Sequence, residues 1–265
     1  MSGTRVDSIV PAGTAAPLGR PDALGPLVRL TVRGLLGRRR TLGVVVLAAA
    51  PVLVAAILAF AGGLGDAETM TLDVFATITL GLVIPIAGLL LGTAAIGTEI
   101  DDGTVVYLLV KPVPRRTVVL AKMLVAAAGT AAITATAALI SGFLLLGGTA
   151  VSLLVATVAA TLLAAVLYAV VFVALSVFTG RALVVGLGYV LVWEGLVTSL
   201  LSGTRILSIR EYALAVVNAI STRGGPADGA GVEPIVAVVL SAVVLVAAFA
   251  LGSWRLGRFE VTDTG

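Results

Sequence analysis

The 265 residues include no cysteine and no histidine. Those two absences remove thiolate nucleophiles, disulfides, Cys/His zinc sites and any Ser-His-Asp triad. Charge is nearly as scarce: Asp, Glu, Lys and Arg make up 12% of the chain and aromatics 5%, where a soluble domain carries about a quarter charged residues. No Gly-x-x-x-x-Gly-Lys-[Ser/Thr] loop is present to cradle nucleotide phosphates. The chain is therefore expected to be a non-enzyme, with no cofactor of its own and no nucleic-acid partner. What it has in abundance is apolar surface: 59% hydrophobic residues and a mean hydropathy of +1.17. This is the composition of an integral membrane protein.

A helix crossing the bilayer needs about 20 apolar residues. Charge-free blocks of that length place an all-α fold of six transmembrane helices at about 42–63, 74–98, 118–146, 151–179, 182–202 and 234–254. The block from 123 to 180 is too long for one span, and Gly147-Gly148-Thr149 marks the turn that divides it. Before the first span, residues 1–22 have loop composition and are expected to form a disordered tail, with a second short tail at 259–265. The six-span domain occupies 23–258. The first span is too long, and too far from the start, for a signal-peptide core.

Arg29, Arg33, Arg38, Arg39 and Arg40 precede the first span, and the short loop after it carries Asp66 and Glu68 and no Lys or Arg. The excess of basic residues places the N-terminus in the cytoplasm. Alternation then puts Lys111, Arg115, Arg116, Lys122, Arg181, Arg255 and Arg258 inside, and Gly147-Gly148 and the 202–233 segment outside. Both termini are cytoplasmic, in an inner or plasma membrane.

Three pieces are not spans. In 23–40, Leu24, Leu27, Val28, Leu35 and Leu36 recur at near-helical spacing beside a stripe containing Arg29 and Arg33, as in a basic helix lying on the inner leaflet. The second is the cytoplasmic loop after span two, where Glu99, Asp101 and Asp102 lead, Lys111 follows and Pro112 stops a short helix at about 100–112. Its Val105, Tyr107, Leu108 and Leu109 need a cover, either a cytoplasmic partner or the chain's own N-terminal helix and lipid. The loop lacks the ligand spacing of an EF-hand. Outside, 205–222 carries Ile206, Ile209, Ala213, Val216, Val217 and Ile220 on one helical face, so it either lies on the outer leaflet or re-enters.

Glu194 is the one ionisable residue well inside a span. An acid at that depth usually faces a bundle interior or a pathway, and a structural role pinning helix packing is the alternative. Gly88-Leu89-Leu90-Leu91-Gly92 offers a close-packing step between helices or protomers, while Pro51 and Pro85 are candidate kinks.

The stretch Gly97-Thr98-Glu99-Ile100-Asp101-Asp102-Gly103-Thr104, with Tyr107-Leu108-Leu109, Lys111-Pro112-Val113-Pro114-Arg115-Arg116 and Lys122, resembles the E-x-x-x-G-T…L-L…P-x-x-R…K signature of ABC type-2 transporter permeases. Trp193-Glu194 and Ser208-Ile209-Arg210-Glu211-Tyr212 resemble one bacterial branch of them. The resemblance implies that 23–40 is a connecting helix and 205–222 a re-entrant helix. It also implies that 100–112 is a coupling helix, seating Glu99, Asp101, Asp102, Gly103, Thr104, Tyr107, Leu108, Lys111, Pro112, Arg115 and Arg116 on an ATP-binding-cassette ATPase subunit. ATP and Mg would then be held by that partner, and a second permease subunit would complete a two plus two assembly in the lipid bilayer. Export is the function implied, and a pathway lined by Ala, Val, Leu, Gly and Thr, with Glu194 as its main polar feature, suits a hydrophobic or amphipathic substrate. A non-transporting anchor or regulator of a cytoplasmic partner, and a proton-coupled secondary transporter using Glu194, are the alternatives.

Overall fold

The computed structural model describes residues 39–61, 66–101, 114–197, 200, 202–221 and 231–258, with positions 25, 28, 29, 31 and 32 ahead of them. The expected tails at 1–22 and 259–265 lie outside the described residues. Every regular element among these residues is helical. Helix α1 is Arg39–Phe60. Helix α2 is one rod built of an α-helical turn, Ala67–Asp73, a π-helical segment, Val74–Val83, and a second α-helical segment, Ile84–Asp101. Then come α3, Arg115–Leu146, and α4, Val151–Phe178. Helix α5 joins Ala182–Gly188 to a π-helical segment, Tyr189–Val197. A 3₁₀ segment, Ser202–Leu207, leads into α6, Ile209–Ile220, and the last helix, α7, is Pro234–Gly257.

Five of the six expected spans are helices long and apolar enough to cross a membrane: Arg40–Phe60, Ala67–Ile96, Arg115–Leu146, Val151–Phe178 and Pro234–Gly257. The expected fifth span contains a shorter apolar helix, Ala182–Leu196. The turn between α3 and α4 falls at the double glycine. Gly147 closes α3 in the left-handed region, at φ 56°, its N–H donating to the Phe143 carbonyl, and Gly148 follows at φ 84°. A side chain is disfavoured at both, so the sequence itself terminates the helix here.

Helix α4 is the hub, packed against α2, α3, α6 and α7. Ala156, Ala160, Ala164 and Ala165 are fully buried along it. Small side chains let backbones approach, which is how helices gain dispersion contacts in lipid without a hydrophobic driving force. The Gly88/Gly92 step lies in this seam, within one chain: a Cβ on Gly88 would stand 2.8 Å from Tyr168 Cβ, and one on Gly92 2.9 Å from both the Ala169 carbonyl and Phe172 Cβ. The outer helices invert the soluble pattern. Leu53, Ile57 and Phe60 of α1, and Ile235, Val238 and Val246 of α7, are exposed, as lipid-facing side chains are. Buried hydroxyls inside the spans are satisfied locally: Thr93, Thr130, Thr134 and Thr161 each donate to the carbonyl four residues back.

Helix α6 is not a surface helix. Ile209, Glu211, Tyr212, Ala213, Leu214, Ala215 and Val217 are all buried against α4, α7 and the π segment of α2. The buried face is wider than the apolar stripe read from spacing, and Ile206 and Ile220 at its ends are exposed.

Candidate functional site

Two polar constructions stand at opposite ends of the bundle. The first is at the base of α3, directly after the loop that carries the signature. Glu99 and Asp101 belong to the final turns of α2. Asp102, Gly103, Thr104, Tyr107, Leu108, Lys111 and Pro112 lie outside the described residues, as does Arg33. Arg115 opens α3, and its Nη1 donates to the carbonyl oxygens of Leu256, at 3.0 Å, and Gly257, at 2.6 Å. These carbonyls end α7, where a helix leaves acceptors unfilled and where its dipole favours a cation. The residue expected to face an ATPase thus has a partner within the chain, locking the start of α3 to the end of α7. Arg116 is exposed, whereas Lys122, two turns further on, is buried. Beside this base, Val28 and Val32 pack against a cluster containing Val44, Ala87, Leu91 and Val125, with Arg29 exposed.

The second construction surrounds Glu194, which lies in the π-helical segment of α5 and is buried. Its Oε2 accepts from the Ser208 hydroxyl at 2.5 Å, and its Oε1 accepts from the Ile209 N–H at 3.1 Å and the Tyr189 hydroxyl at 3.3 Å. Ser208 is the N-cap of α6, and its Oγ also accepts from the Glu211 N–H at 3.4 Å. The acid of one element therefore caps the N-terminus of another, placing negative charge where unpaired N–H groups and the helix dipole favour it.

Ser208-x-x-Glu211 has the spacing of a capping box, a signal that sequence reasoning left unused. The box is opened, however. The Ser208 N–H already donates to the Arg205 carbonyl, and the Glu211 carboxylate turns away to accept from the Gly231 N–H at 3.0 Å. Tyr212 closes the same corner, its hydroxyl donating to the Ile206 carbonyl at 2.7 Å. The wholly buried Tyr168 on α4 stacks with Phe172 at 6.1 Å, and Phe172 meets Tyr189 edge-on at 6.2 Å. The Tyr168 hydroxyl lies at the same corner, beside the Glu194 carboxylate. Tyr189 and Ser208 are functional candidates that the sequence could not supply, because a partnership between positions 194 and 208 exists only after the chain has folded back.

No group of acidic residues that could hold a metal ion occurs among the described residues. Both constructions are mechanical: each fastens the end of one helix to a side chain of another. Among curated proteins, none matches the chain. The family model described as ABC-2 family transporter protein matches residues 36–203, a stretch running from the start of α1 through α5 and including the whole signature loop. The chain is a transmembrane permease belonging to the ABC-2 transporter family.

Proposed function

We propose that this chain is the membrane subunit of an ATP-driven exporter, working with a separate ATP-binding-cassette ATPase and a second permease in a two plus two assembly. The observation that carries the reading is the Arg115 lock. Force applied to the loop between α2 and α3 reaches α3 at its first turn and, through Arg115, the C-terminus of α7. An ATPase seated on 100–112 then moves three helix ends at once. Differential binding of the ATPase to two permease conformations supplies the energy that shifts their populations.

At the exterior end, Glu194 acts as an anchor for the re-entrant helix. Both of its oxygens are occupied by donors, which disfavours a proton-relay role and with it secondary transport. The interior of the bundle is mostly Ala, Val and Leu with scattered Thr, which suits a hydrophobic or amphipathic cargo more than a highly charged one. Purifying tagged chain from its native membrane tests the assembly. A copurifying ATPase of roughly equal stoichiometry, with vanadate-sensitive hydrolysis, is the expected result, and a partner-free protein would overturn the reading.

A further inference from the structure

A cavity of about 430 Å³ opens between α4, α5 and α7, walled by carbon atoms of Phe172, Phe178, Val185, Tyr189, Val244 and Leu251 among others. Its size falls within the range of small-molecule sites, about 300–1,000 Å³. What distinguishes it from an ordinary lipid-facing crevice is how two of its walls end. On α5, Tyr189 and Val185 line the cavity, and the next position on that helical stripe is Arg181, whose carbonyl accepts the Val185 N–H. On α7, Val244, Ala247, Ala248 and Leu251 line it, and the same stripe continues to Arg255 and Arg258. Arg115 sits on the α7 terminus as well. Arg258 stacks 4.2 Å over the ring of Trp254, itself half exposed, as an aromatic at the membrane interface would be. Two of the helices that wall the apolar slot therefore lead, on the same side, to arginines, of which Arg181 and Arg258 are exposed.

We propose that this cavity binds an anionic phospholipid of the cytoplasmic leaflet, one acyl chain filling the slot and the phosphate held at its mouth by Arg181 and Arg258. Charge complementarity selects this occupant: a zwitterionic lipid would bring its own cation to the same arginines, whereas an anionic headgroup brings only negative charge. Calling the leaflet cytoplasmic rests on the orientation proposed for the chain. The site itself does not.

The test uses the two tryptophans. A Trp193→Phe variant leaves Trp254 as the sole reporter. It is reconstituted in phosphatidylcholine vesicles containing brominated phosphatidylglycerol or, separately, brominated phosphatidylcholine at the same mole fraction in both leaflets. Quenching by the anionic lipid is expected to exceed that by the zwitterionic one at least twofold. Reading the ratio within each variant cancels any change in the indole's own emission. The preference should vanish in Arg181→Gln/Arg258→Gln, which removes the charge, and fall in Ala247→Phe, which fills the slot at an exposed position and keeps every arginine. Equal quenching by both lipids, or no quenching by either because another protein surface covers the mouth, would overturn the proposal. A preference that survives Ala247→Phe would overturn it too, reducing the effect to surface charge. Because both leaflets carry the brominated lipid, a reversed orientation would leave the result intact.

Discussion

At the scale of single residues, Glu194 has the largest consequences. Replacing it with Ala leaves the Ser208 hydroxyl and the Ile209 N–H without their acceptor in a buried setting. Each such orphan costs about 1–3 kcal/mol. Glu194→Ala is therefore expected to lower the melting temperature of the detergent-solubilised protein clearly, while Glu194→Gln, whose carbonyl keeps the Oε1 acceptor for both the Ile209 N–H and the Tyr189 hydroxyl, should lose less than half as much. Equal losses would mean that the capping bonds contribute little. Arg115 makes a parallel case at the other end. Arg115→Ala removes two charge-assisted bonds from the last carbonyls of α7. The expected result is faster amide hydrogen exchange confined to the final turn of α7, read by mass spectrometry over 253–258, with Arg115→Lys intermediate because an ammonium keeps the charge at the α7 terminus but not the reach of the guanidinium.

Secondary-structure elements show where the sequence was informative and where it was not. The double glycine at 147–148 placed the α3–α4 turn correctly, because the left-handed conformation it permits is a local property. The Gly88/Gly92 step was readable as a packing device, but its partner was not. Only the fold shows that it serves the α2–α4 seam inside one chain. A Gly92→Leu substitution is accordingly expected to abolish folded protein, since the Ala169 carbonyl and Phe172 Cβ stand 2.9 Å from any added Cβ and backbone has no room to yield. Gly43→Ala, with nothing within 4 Å, should fold normally in the same expression assay. The π-helical turns in α2 and α5 left no trace in the hydrophobic pattern. A uniformly apolar span looks the same at any helical pitch, so periodicity had nothing to register. The partners of Glu194 were hidden for a related reason: its depth marked it as important, while the N-terminus that it caps lies fifteen residues away across a reversal of the chain.

For the molecule as a whole, charge placement decided more than hydrophobicity. Runs of Leu, Val and Ala mark the spans, whereas an expectation of orientation comes only from the arginines at their ends. Arg205 and Arg210, in the segment that the alternation places outside, belong to the corner around α6, where Arg205 packs beside Gly231 and the Arg210 side chain is partly buried. A chain without cysteine makes the orientation directly measurable. A single cysteine at Gly148 should react with an impermeant maleimide added to intact cells, and one at Arg116 only after permeabilisation. The reverse pattern would invert the topology and move the signature loop away from any ATPase.

The central claim is that the acidic end of α2 and the loop after it seat an ATPase subunit. The most direct measurement is copurification of that subunit with tagged chain carrying Glu99→Lys, Asp101→Lys and Asp102→Lys together, set beside the unaltered chain and beside Glu68→Lys as an exterior control. The account requires the ATPase to accompany the unaltered and control proteins and to be lost, by tenfold or more, from the triple variant at equal expression. An ATPase that stays bound to the triple variant in full would contradict it.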